Sequence, residues 1–130
     1  MSAAATAPET TAARDLRELY ARYKRLALAA GAALILEGAD DGALAAEAQS
    51  LVGDCEAARA RAPHLRPQLD ACAEAAAELH ALLGRAAGDE PADAALERAR
   101  TSHRRLRREV WSVLPCEYVP CCAEHIHHER

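Results

Sequence analysis

Between Cys116 and Arg130 the chain carries three thiols, Cys116, Cys121 and Cys122, and three imidazoles, His125, His127 and His128. Thiolate and imidazole are soft and borderline donors, suited to Zn²⁺, Cu⁺ or iron, and thiols also exchange disulfides. Cys116 and Cys121 bracket four residues, a loop able to bring two sulfurs onto one Zn²⁺ at the usual distance of about 2.3 Å. Cys122 adds a vicinal thiol, which suits Cu⁺, and Cys121 with His125 forms a C-x₃-H pair. The full spacing, C-x₄-C-C-x₂-H-x-H-H, matches no zinc-finger pattern, so the case for metal is compositional. Glu124 and His127 make the E-x-x-H pair of di-iron bundles, but no second copy accompanies it. The bland alternative is a terminal segment whose histidines bind metal adventitiously.

A second group lies upstream. Cys55 and Cys72 fall on the apolar stripes of consecutive helices, on either side of the Pro63 to Pro67 link. Cys55 stands eight residues before Pro63 and Cys72 five after Pro67, so an antiparallel hairpin brings them to similar heights. They are therefore expected within bridging reach, with Cα atoms under about 7 Å apart, or on a shared metal. Against this stands the ordinary role of buried free cysteine as a small hydrophobe. His103 occupies an inward position of the last helix, about one turn from Cys72. Either it supplies a third ligand, or it is a core histidine hydrogen-bonded to a neighbour such as Tyr23.

The elements that must hold these residues are helical. Residues 1–9 are small, polar and proline-containing, and a flexible N-terminus is expected there. Thr10 or Thr11 caps a first helix to about Glu37, with Leu16, Leu19, Tyr20, Tyr23, Leu26, Ala27, Ala30 and Leu34 at helical spacing. Gly31 inside it suggests a close helix crossing, and Gly38 a stop. Asp40 or Asp41 opens a second helix to about Ala62, with Leu44, Ala48, Leu51, Val52, Cys55 and Ala58 on its stripe. Pro67 sits in the first turn of a third helix bearing Leu69, Cys72, Ala76, Leu79 and Leu83, which closes near Gly84 to Gly88. A fourth runs from about Ala92 to Leu114, with Leu96, Ala99, His103, Leu106, Val110 and Val113 in register, and Pro115 stops it.

Short links between four helices imply antiparallel neighbours. The expectation is an all-α, antiparallel four-helix bundle over residues 10–114, with a Cys/His-rich extension at 115–130 folding back on the bundle end. By the same topology the extension emerges beside His64.

Composition bounds the rest. At 130 residues there is one core, and about a quarter of the chain is alanine with no Phe, so that core is thin. Self-association is the expected remedy, with Leu28, Ile35, Leu36 and Leu82 as an outer apolar seam. The net charge of −4 and pI near 5.8 weigh against nucleic acid and anionic membrane as partners. Arg98, Arg100, Arg104, Arg105, Arg107 and Arg108 alternate with Glu97 and Glu109, the pattern of a solvated, salt-bridged face. The apolar run Ala27 to Leu36 has about ten residues where a membrane span needs about 20. Five cysteines cannot all pair within one chain, and no signal-like start precedes them, so a reducing cytoplasmic setting is expected.

The expected function is metal binding without turnover, as a sensor, carrier or structural metalloprotein. Zinc is the first choice of metal, with copper or iron as alternatives. The rival readings are a thiol-disulfide switch or cysteine enzyme, and a helical interaction module with a possible protein partner. No catalytic motif is present to favour an enzyme.

Overall fold

The computed structural model describes residues 10–35, 41–84 and 92–114. Residues 1–9 and 115–130, and with them Cys116, Cys121, Cys122, His125, His127 and His128, lie outside the described residues, as do Gly38, Asp40 and Pro115. Four α-helices account for nearly all of the rest: α1 (Thr11–Ile35), α2 (Asp41–Arg61), α3 (Arg66–Gly84) and α4 (Ala92–Trp111). Among the described residues there is no strand.

The local reasons are the ones the residue types dictate. Thr10 caps α1: its Oγ1 accepts from the Ala13 N–H at 3.0 Å, and its carbonyl accepts from the Arg14 N–H at 3.0 Å. Between α2 and α3, Pro63 forces Ala62 out of the helical region, at φ −135° and ψ 71°. A single 3₁₀ turn, Pro63–Leu65, then reverses the chain and buries Leu65.

Ion pairs on the surface mark the register. Asp15 pairs with Arg61 and Arg22 with Asp54 between α1 and α2. Arg59 meets Asp70 between α2 and α3, and Glu74 and Glu78 meet Arg105 and Arg98 between α3 and α4. In the first and third seams the numbers rise along one helix as they fall along the other, so those neighbours are antiparallel, and the short turn at Pro63–Leu65 reverses the chain between α2 and α3. Each exposed pair contributes at most about 1 kcal/mol, so they report the register more than they enforce it.

Burial enforces it. Leu16, Tyr23, Leu51, Leu69, Leu106 and Val110 are the largest fully buried side chains, together with Cys55 and Cys72. α3 packs against each of the other three helices, and α1 also packs on α2. Direct packing between α1 and α4 is sparse.

Three expectations are corrected. Leu82, assigned to an outer seam, is 5% exposed, because α3 faces α4 as well as α2 and packs Leu82 on Ala95 and Ala99. Of that seam's members, Leu28 is exposed at 77%, while the side chain of Ile35 and the whole of Leu36 lie outside the described residues. Val113, placed on the inward stripe of α4, is 42% exposed, and Leu114 is buried instead. α4 ends at Trp111, and in the turn beyond it the 3.6-residue period no longer decides which side chain faces in. Gly31 marks no close crossing, since a Cβ there would meet nothing within 4 Å.

Gly53 is also free of contacts within 4 Å, exposed, and in the interior of α2. Gly53→Ala is expected to raise the unfolding free energy by about 0.5–1 kcal/mol, the helix-propensity difference. Urea denaturation checks this, and a destabilised variant would show that the face is covered in solution.

Candidate functional site

The chemistry-bearing side chains of the bundle meet where α1, α2, α3 and α4 converge. Cys55 on α2 and Cys72 on α3 are both fully buried. They are free thiols, and Cys55 is the neighbour that acts most strongly on the Cys72 thiol. The matched offsets from Pro63 and Pro67 thus bring the two sulfurs together, as the hairpin geometry requires. Cys55, followed by burial, pushes the Cys72 thiol far above its ordinary range, and the nearby Arg22 guanidinium offsets this only in part.

Tyr23 on α1 lies beside this pair. Its hydroxyl is 3.0 Å from Nδ1 of His103 on α4, and the two rings are 5.6 Å apart at 32°. Burial pushes the phenol up, with smaller contributions from Cys72 and Tyr20. Burial also holds the His103 imidazole below its ordinary value, and Arg107 and Arg104 add to the effect. A protonated phenol beside a neutral imidazole is satisfied when O–H donates to Nδ1, which leaves the imidazole proton on Nε2.

The consequence is a neutral polar layer inside an apolar bundle. The Cys72 thiol, the Tyr23 phenol and the His103 imidazole keep the uncharged form near pH 7, so none of the three is poised as a nucleophile or a charged general acid. Thiolate reactivity needs a lowered thiol pKa, and Cys72 has the reverse. Among the described residues, no three His, Cys, Asp or Glu side chains gather to hold a metal ion. Of the second group, Cys55 and Cys72 are brought together, while His103 commits Nδ1 to Tyr23, the core-histidine arrangement.

The other expected residues are placed as follows. His64 is exposed in the 3₁₀ turn, and His80 is half-buried on α3. Four of the six arginines are salt-bridged: Arg105 to Glu74 at 2.7 Å, Arg98 to Glu78 at 3.3 Å, Arg104 and Arg100 to Glu97 at 3.4 and 4.0 Å, while Arg107 and Arg108 make no ion pair among the described residues. Two features went unread in the sequence. Arg22 acts on Cys72 through space, and Gln68, 7% exposed, keeps its Oε1 without a hydrogen-bond partner among the described residues. A glutamine in a first helical turn gives no sequence signal of burial.

The imidazole provides a pH test. Its folded-state pKa lies below the unfolded value of about 6.5, so the unfolded chain binds the proton more readily. The stability carried by the neutral ring is complete above about pH 6.5 and is lost as pH falls through the folded pKa. His103→Gln keeps an acceptor for the Tyr23 hydroxyl and removes the titration. The gap between parent and variant urea midpoints should therefore narrow as pH drops from about 7.5 to about 5. A gap that does not change with pH would rule out this coupling.

No protein-family model, no curated protein and no solved structure matches this chain, so its function has to be argued from its own residues.

Proposed function

We propose that the protein binds a metal ion through thiolate and imidazole ligands in its C-terminal segment. Cys116, Cys121, Cys122 and His125 are the first-choice ligands, with His127 and His128 available to complete or exchange a position. The observation that carries the reading is the concentration of three thiols and three imidazoles in fifteen residues. Zinc suits the mixed donor set in tetrahedral geometry, and copper follows through the vicinal thiols. The role is that of a carrier, sensor or structural metalloprotein in a reducing, cytoplasmic setting, where free thiols persist.

The bundle supports this in two ways. First, Cys55 and Cys72 are both buried and Cys72 is held protonated, which favours the cysteines beyond Leu114 as ligands. Second, the buried Leu114 anchors the chain two residues before Cys116, at the end of the bundle where His64 is exposed.

Metal analysis of protein purified without an affinity tag is expected to find a stoichiometric transition metal. The double variant Cys121→Ser, Cys122→Ser should reduce it to a trace while circular dichroism keeps the bundle's helicity. Unchanged metal content in that variant would overturn the reading.

A thiol-disulfide role is favoured by a different observation, the buried Cys55–Cys72 pair. The raised Cys72 pKa opposes rapid exchange through it, since the thiolate is the attacking species. Thiol titration of the native protein separates the two readings. For bound metal, a chelator should expose the C-terminal thiols to reagent while Cys55 and Cys72 wait for unfolding. If a reductant is needed instead, those thiols were disulfides and the redox reading stands.

A further inference from the structure

The four helices close their bundle unevenly. The seam between α1 and α4 depends on the Tyr23–His103 hydrogen bond more than on packing. From that bond towards the C-terminal end of α1 and the N-terminal end of α4, the seam opens into a groove of about 230 Å³. The cause is side-chain size. Ala27, Ala30 and Gly31 on α1 face Ala99 on α4, and short side chains cannot fill the gap between the two helices. Leu79 and Leu82 of α3 form the floor.

One wall differs from the others. Arg100 and Arg104 of α4 line the groove, and among the described residues their one carboxylate partner is Glu97, at 4.0 and 3.4 Å, while Arg104 also reaches the Thr101 hydroxyl at 3.5 Å. Among those residues, one carboxylate for two guanidinium groups leaves about one positive charge in excess. His103 lines the same end. With Nδ1 engaged by Tyr23, its Nε2–H is a donor with no hydrogen-bond partner among the described residues. Burial, and then the charges of Arg107 and Arg104, holds this imidazole in its neutral form, in keeping with the positive wall. An apolar trough thus ends in two guanidinium groups and one imidazole N–H.

We propose that this groove binds a small amphipathic carboxylate, its hydrocarbon part along Ala27, Ala30 and Leu79 and its carboxylate on Arg100, Arg104 and His103. A monoanion matches the single excess charge. Guanidinium presents paired N–H groups in the plane of a carboxylate, the geometry that makes such contacts strong. A cation is disfavoured by the same field. An uncharged alcohol of equal length keeps the apolar contact and forfeits the charge-assisted hydrogen bonds. The groove's lining residues are not among the ligands proposed for metal.

The test uses the full chain, ¹⁵N-labelled, titrated with octanoate, octan-1-ol and octylammonium. Octanoate is expected to give saturable amide shifts centred on Ala27, Ala30, Ala99 and His103. Octan-1-ol should bind at the same residues about tenfold or more weakly, the loss of a charge-assisted hydrogen bond, and octylammonium should not bind. Arg100→Gln with Arg104→Gln changes only exposed side chains, and should lower octanoate affinity to that of the alcohol while leaving the alcohol unchanged. Ala27→Leu, which fills the trough from a half-buried position, should abolish both. The proposal fails if octanoate shifts no groove residue saturably, if the alcohol binds equally well, or if the double arginine variant binds octanoate like the parent.

Discussion

α3 carries buried side chains on more than one face, and the positions of the other three helices follow from the need to cover them. Ala71, Cys72, Ala75, Ala76, Leu79, Leu82 and Leu83 are all buried along it. So wide an apolar arc cannot be covered by one neighbour, and α1, α2 and α4 each take a part. The arc mixes leucines with alanines and one cysteine, the latter two allowing close approach but burying little area apiece. Among the described residues, the α1–α4 seam stays open where Ala27, Ala30 and Gly31 lie across from Ala99.

The polar layer is a product of the same geometry. A thiol pair, a phenol and an imidazole stand where aliphatic side chains would otherwise fill the middle of the bundle. Buried polar groups are tolerated when they satisfy one another, and here they stand in pairs, Cys72 beside Cys55 and Tyr23 bonded to His103. Cys55 and then burial keep Cys72 neutral, and burial keeps Tyr23 and His103 so, which avoids leaving a charge in an apolar interior. The Tyr23–His103 bond also does what packing does not, tying α1 to α4 across their open seam. The arginines sit outside this layer; Glu74 and Glu78 pair with Arg105 and Arg98, and Glu97 is shared by Arg100 and Arg104.

Much of the architecture was legible from residue types. Proline and threonine positions announced the turn at Pro63 and the cap at Thr10, because both act through local backbone chemistry. The apolar stripes of α1 and α2 and the pairing of Cys55 with Cys72 were also readable, since an antiparallel hairpin with a short link has little freedom of register. Val113 and Leu114 mark where that reading stops: a periodic pattern has no authority beyond the last regular turn. Gly31 is a similar case, because a glycine in a helix looks the same in sequence at a tight crossing and on an open face.

What the sequence determined by itself was the helical class, the helix order, the antiparallel sense and the donor set of the C-terminal segment. These depend on short-range spacing, short links and composition. Tertiary structure alone decided that α3 is central, that Leu82 is interior, that His103 answers to Tyr23, and that α1 and α4 leave a groove between them. Each of those depends on which two helix faces meet across the bundle. A helical stripe records that a face is apolar, but not which of several neighbours will cover it, or how completely alanine will fill the space between.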